Sequence, residues 1–189
     1  MKNRRDSLPI FLAKDEALKL LDQPSKSCRS GRRNYAIIYL MLSVGLRVSE
    51  ITKLCDTDVD LEHQILHIRF AKGRKDRNIH ITKKVYAVLF AWDQERPHSN
   101  YFFPTLRGSQ LSTRYLQQAI PRYATAAGIE KRVTPHTMRH TFATQFILDG
   151  GNVILLKQIL GHKSVSTTMI YVTLTGKDEA DALDRFSGF

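Results

Sequence analysis

At 189 residues, with 42% hydrophobic and 25% charged residues, the chain has the composition of one folded domain rather than of a disordered or fibrous protein. Twenty-nine Lys and Arg against eighteen Asp and Glu leave a formal charge of +11, which points to a polyanionic partner, nucleic acid first. The longest apolar run (35–46) is too short to span a bilayer, no signal-peptide pattern follows the basic start, and two cysteines make neither a disulfide framework nor a metal cage, so the expected location is the cytoplasm, with no membrane partner.

Residues 1–7 read as a basic, solvated tail, and a short helix follows that ends before Pro24. Residues 25–33, with Lys26, Arg29, Arg32 and Arg33, read as a basic connector. Asn34 then opens a helix that is apolar nearly all round, hence central, and Gly45 stops it. Arg47 stands at the corner before the next helical start. A guanidinium against so apolar a helix is costly to bury without an anionic partner, and Glu50, one turn on, is in reach.

From residue 56 to 81 the period changes from helical to alternating. Ile65, His67 and Arg69 alternate with Leu66, Ile68 and Phe70, and residues 78–81 repeat the pattern, so a β-hairpin is expected, with a third strand near Val59 and Leu61. Its turn region carries Arg69, Lys72, Arg74, Lys75 and Arg77 against one Asp76. Such a tip is either merely solvated or a DNA contact, with Arg74, Lys75 and Arg77 as the candidates. An amphipathic helix over 83–95, an apolar turn at 101–104 that packs rather than stacks on bases, and a helix over 114–127 complete the middle of the chain.

The densest chemistry lies in 134–171. Thr134 suits an N-cap and Pro135 the first helical position, which sets His136 and Arg139 over a helix N-terminus, where free N–H groups and the dipole favour a phosphate. Gly150-Gly151 breaks that helix, Asn152 caps a second, Gly161 ends it ahead of His162, and Ser164 caps a third that carries Tyr171. Short, stiff elements thus deliver two imidazoles, a guanidinium and a phenol.

His136-Thr137-Met138-Arg139, Leu160-Gly161-His162, Tyr171 nine residues after that His, and the GLRVSE run ending at Glu50 resemble the signature boxes of the tyrosine recombinase (phage integrase) family. The resemblance implies a fold that is mainly α with a small antiparallel β-sheet, a catalytic domain over 8–189, and no separate helical DNA-clamping domain in front of it. It also implies an enzyme that cuts and rejoins double-stranded DNA through a covalent 3′-phosphotyrosine. Arg47 and Arg139 would clamp the phosphate, Glu50 would hold Arg47, and Tyr171 would be the nucleophile. His136 would act as general base and His162 as a donor to the phosphate. The hairpin lysine that acts as general acid maps onto Lys72, with Lys75 as the alternative because Ala71 replaces the glycine of the family's pattern. His140 reads as a supporting residue. No metal or cofactor is required, since side chains supply the positive charge. The partners implied are DNA in the nucleoid and further copies of the chain, a ring of four with the tail after Gly176 docked in trans.

Other readings explain less. His136 and His140 have the spacing of a zinc-binding H-E-x-x-H pair, but Thr137 stands where the Glu is needed. A non-enzymatic helix-turn-helix module accounts for the last segment and leaves GLRVSE and the hairpin lysine as coincidence. A type IB topoisomerase shares the chemistry without synapsis.

Overall fold

The computed structural model describes residues 9–69, 76–162 and 164–174. Its centre is α2 (Arg29–Val44), which buries Ala36, Ile37, Ile38, Leu40, Met41 and Val44 and so requires neighbours on every side. Helices α1 (Lys14–Leu21), α4 (Lys83–Asp93) and α6 (Pro135–Leu148) pack on it. Short α3 (Val48–Lys53) leads away from its C-terminal end, and α5 (Thr113–Ala126) packs against α3 and α6. Among the described residues, no helix is long and apolar enough to cross a membrane.

The expected hairpin and third strand form one antiparallel sheet in the order β1 (Val59–Asp60), β2 (Ile65–Ile68), β3 (Arg77–His80). Ile65 pairs with His80 and Ile68 with Arg77, and the alternation turns Leu66, Ile68 and Ile79 into the core. The turn residues Lys72, Arg74 and Lys75 lie outside the described residues, as do the 1–7 tail and the segment after Gly176. A smaller second core joins α6 to α7 (Val153–Leu160) and α8 (Ser166–Leu174) through Phe142, Ala143, Ile147, Leu156, Leu160 and Tyr171.

The connector expected over 25–33 differs. Helix α2 begins at Arg29, so that Arg29, Arg32 and Arg33, read as loop, lie in its first turns while Lys26 precedes it. Arg33 is buried, donates from Nη1 to the Pro104 carbonyl at 3.0 Å, and lies 5.1 Å from the Tyr115 ring centre. Asn34 donates to Tyr115 Oη at 2.8 Å and Tyr123 Oη at 2.9 Å. Arg32 is paired to Glu95 at 2.6 Å. Pro104, Tyr115, Tyr123 and Glu95 all come from far along the chain, so no local pattern announces this helix start.

Candidate active site

The site begins where α2 ends. Gly45 sits at φ 69°, a conformation only glycine adopts cheaply, and an added Cβ would stand 2.3 Å from Phe142 Cδ1. The chain reverses there and Arg47 becomes the N-cap of α3. Glu50, at the third helical position, accepts from Arg47 N at 2.8 Å and from Arg47 Nη1 at 3.1 Å. Both side chains are therefore fixed by one turn of backbone.

Helix α6 is capped as its sequence suggests: Thr134 Oγ1 accepts from Thr137 N at 3.2 Å, Thr137 Oγ1 accepts from Thr134 N at 3.1 Å, and Pro135 takes the first position. One turn in, buried Arg139 donates from Nη1 to the Gly45 carbonyl at 2.6 Å and from Nη2 to the Leu160 carbonyl at 2.7 Å. Its Nη2 also lies 3.0 Å from His162 Nε2. A guanidinium only donates, so His162 Nε2 accepts; the ring proton of the neutral imidazole is then on Nδ1, which donates to Thr168 Oγ1 at 3.0 Å. Thr168 is fully buried and orients that imidazole.

Where α7 ends, the four carbonyls without helical donors are all satisfied, and this explains why the site lies there. Gly161, at φ 63°, lets its own N–H reach Gln158 O at 3.1 Å while His162 N reaches Lys157 O at 3.1 Å. The Ile159 carbonyl accepts from Arg77 Nε at 2.6 Å. The Leu160 carbonyl accepts from Arg139 Nη2 at 2.7 Å and from Arg47 Nη1 at 3.2 Å. The negative end of the helix dipole thereby gathers three guanidinium groups, two of which, Arg47 and Arg77, also pair with Glu50.

Arg77 is not where the hairpin pattern suggested. It was a candidate DNA contact, but its side chain is only 10% exposed and pairs through Nη1 and Nη2 with Glu50 Oε1 and Oε2, each at 3.1 Å. The alternation of Arg77, Ile79 and Ile81 on one face carries the signal: Arg77 shares the buried side of β3 with Ile79 and opposes buried Ile68.

Tyr171 is 3% exposed on α8, and its Oη lies 2.9 Å from His140 Nδ1. His136, in contrast, is exposed on the rim and lines a cleft of about 720 Å³ with Val48, Gln117, Pro121, Thr134 and Pro135. Pro121 has no N–H, so the Gln117 carbonyl on that wall lacks its helical donor. His136 and Arg139 thus differ in exposure, although the first-turn spacing set them on one face.

Electrostatics follow from burial. The Arg139 guanidinium is pulled down to about 9 by desolvation and then by the like charge of Arg47, and it remains protonated at neutral pH. Burial pushes the Glu50 carboxyl up, but hydrogen bonds and charge from Arg77, then Arg47, outweigh it and hold the group below its ordinary value. Burial raises the Tyr171 phenol against the pull of Arg139 and Arg47. Burial lowers the His140 imidazole, helped by His136 and Arg139. Three guanidiniums and one carboxylate leave this corner with a net positive charge, and the non-bridging oxygens of a tetrahedral phosphate suit the planar donors of Arg47 and Arg139.

A profile described as the phage integrase family matches residues 10–177. The tyrosine recombinase XerC of Thermodesulfovibrio yellowstonii is 32% identical over 189 residues, covering 95% of this chain and 62% of that protein. A crystal structure of XerA recombinase superposes with a TM-score of 0.79 at 33% identity, over 96% of this chain and 65% of that one. A XerH site-specific recombinase bound to palindromic difH substrate, in a post-cleavage complex, gives a TM-score of 0.78 at 27% identity, over 96% of this chain and 55% of that one. This chain therefore spans about 62% of the length of the first of these relatives.

Proposed function

The chain belongs to the phage integrase family, and we propose that it cuts and rejoins double-stranded DNA at specific sites through a phosphotyrosine intermediate. The supporting observation is that Arg47, Arg139 and His162 meet at the end of α7 while Tyr171 lies within the field of both arginines. Residues 8–189 form the catalytic domain on this reading, and 1–7 are a basic tail.

A phosphodiester entering the site takes the guanidinium N–H groups of Arg47 and Arg139 on its non-bridging oxygens, where charge builds as the bond is made. Arg139 gives up His162 Nε2 in doing so. That nitrogen must then gain a proton to serve as a donor to the phosphate. The Tyr171 oxygen attacks phosphorus, the P–O5′ bond breaks, and the DNA is left joined to the protein by its 3′ phosphate. The phenolic proton passes to a base; His136 is the family's choice and His140 is the imidazole already within 2.9 Å. The departing 5′ oxygen takes a proton from Lys72, on the hairpin turn outside the described residues. Reversal by another 5′ hydroxyl rejoins the strand.

The partner is double-stranded DNA, and the working assembly is a ring of four with each tail beyond Gly176 docked on a neighbour, at the nucleoid. The test is Tyr171→Phe with a pool of duplex fragments. Wild-type protein is expected to give a detergent-resistant protein–DNA adduct, and the variant to bind the same DNA and give none. An adduct that survives in Tyr171→Phe removes the assignment of the nucleophile.

A further inference from the structure

We infer that Arg77 is a positioning residue for strand cleavage, which keeps Glu50 from neutralising Arg47 and anchors the β2–β3 hairpin to the end of α7. The inference rests on the reading of the site given above. Glu50 has two oxygens and about four acceptor directions. Oε1 takes Arg77 Nη1 and Arg47 Nη1, each at 3.1 Å, and Oε2 takes Arg77 Nη2 at 3.1 Å and Arg47 N at 2.8 Å. Two of these four donors, and a full positive charge, therefore come from Arg77.

The charge balance gives that half its consequence. With Arg47 and Arg77 both on Glu50 the trio keeps one positive charge, and Arg47 presents it to an incoming phosphate. Remove Arg77, and a carboxylate whose side chain is only 5% exposed has Arg47 as its remaining charge partner among these donors. It then competes with the phosphate for that guanidinium. Lysine does not restore the arrangement, because a single ammonium cannot meet both oxygens while a third N–H reaches a backbone carbonyl. The Nε bond to Ile159 O at 2.6 Å adds the mechanical part. Arg77 opens β3, so the base of the hairpin is tied to the α7 carbonyl beside the one that holds both Arg47 and Arg139.

The experiment compares the full chain carrying Arg77→Ala, Arg77→Lys, Glu50→Gln and the Arg77→Ala/Glu50→Gln pair. It reads single-turnover adduct formation and, separately, DNA affinity across a salt series. Arg77→Ala is expected to cleave about 100-fold more slowly with affinity and salt slope unchanged, the scale of loss that follows a misplaced catalytic group. Arg77→Lys recovers less than about tenfold of this, and the double variant cleaves faster than Arg77→Ala because the competing charge is gone. Should Arg77→Ala fail to fold, the lysine and double variants carry the same comparison. Weaker affinity with a salt slope lower by about one, restored by lysine, is the behaviour of a phosphate contact and overturns the inference. So does wild-type cleavage in folded Arg77→Ala or in Arg77→Lys. Absence of any adduct from the wild-type protein counts instead against the function itself.

Discussion

Tyr171 is held buried and protonated. Its phenol is buried, its ionisation is disfavoured, and its oxygen rests on a neutral imidazole. Both shifts make stability depend on pH with definite signs. The phenol value is raised in the fold, so its contribution is complete below about pH 10 and is lost as pH climbs through the folded value. The His140 value is lowered, so its contribution is present above about pH 6.5 and is lost as pH falls through the folded value. Urea midpoints measured against pH are expected to fall less steeply above pH 10 in Tyr171→Phe than in wild type, and less steeply on the acid side in His140→Ala. Superimposable alkaline limbs would mean that the phenol is not buried in solution. At this scale the boxes H-x-x-R, L-G-H and the spaced Tyr were legible because they are local. What escaped was Arg77, whose inward face is written in the Arg77, Ile79, Ile81 alternation but was masked by the surrounding cations, and Thr168, which no pattern ties to His162.

Two helix ends, each stopped by a glycine, build the corner of the candidate site. Gly45 supplies a carbonyl to Arg139 and turns the chain towards Arg47; Gly161 leaves the Ile159 and Leu160 carbonyls free for arginines. At Gly45 a methyl group meets both a positive φ of 69° and the Phe142 ring at 2.3 Å, whereas Gly128, also at 69°, has nothing within 4 Å. Gly45→Ala is thus expected to cost roughly 3 kcal/mol, strain plus overpacking, and Gly128→Ala roughly 1 kcal/mol, strain alone. Chemical denaturation of the two variants measures the difference, and equal losses would place the Phe142 ring elsewhere. These stops and the caps at Thr134 and Asn152 were readable because glycine, proline and capping residues act within a turn or two. The start of α2 was not, because the partners that let Arg33 and Asn34 be buried there include Pro104, Tyr115 and Tyr123, all remote in sequence.

The described residues form two unequal cores joined through α6, with Leu46 and Val48, on either side of Arg47, belonging to the main one and Tyr171 to the smaller. The smaller core is also poorly covered: Ile154 is 58% exposed, Leu155 48%, Met169 44% and Ile170 40%. Exposed apolar side chains on α7 and on the helix that carries Tyr171 fit an assembly face better than free solvent, and the proposed ring would use such a face. Ile154 and Leu155 stand in the first turn of α7, where Asn152 Oδ1 accepts from both of their N–H groups at 2.7 and 3.3 Å. A carboxylate there complements the helix dipole, so Ile154→Asp and Leu155→Glu are expected to leave stability unchanged or raise it by a few tenths of a kcal/mol. The same substitutions place a charge on the exposed apolar face. Sedimentation on duplex DNA is then expected to show bound monomers where the wild type forms larger complexes, with adduct formation falling in parallel. If the charged variants assemble as the wild type does, copies of the chain meet through another surface, and the exposure of α7 has a different cause.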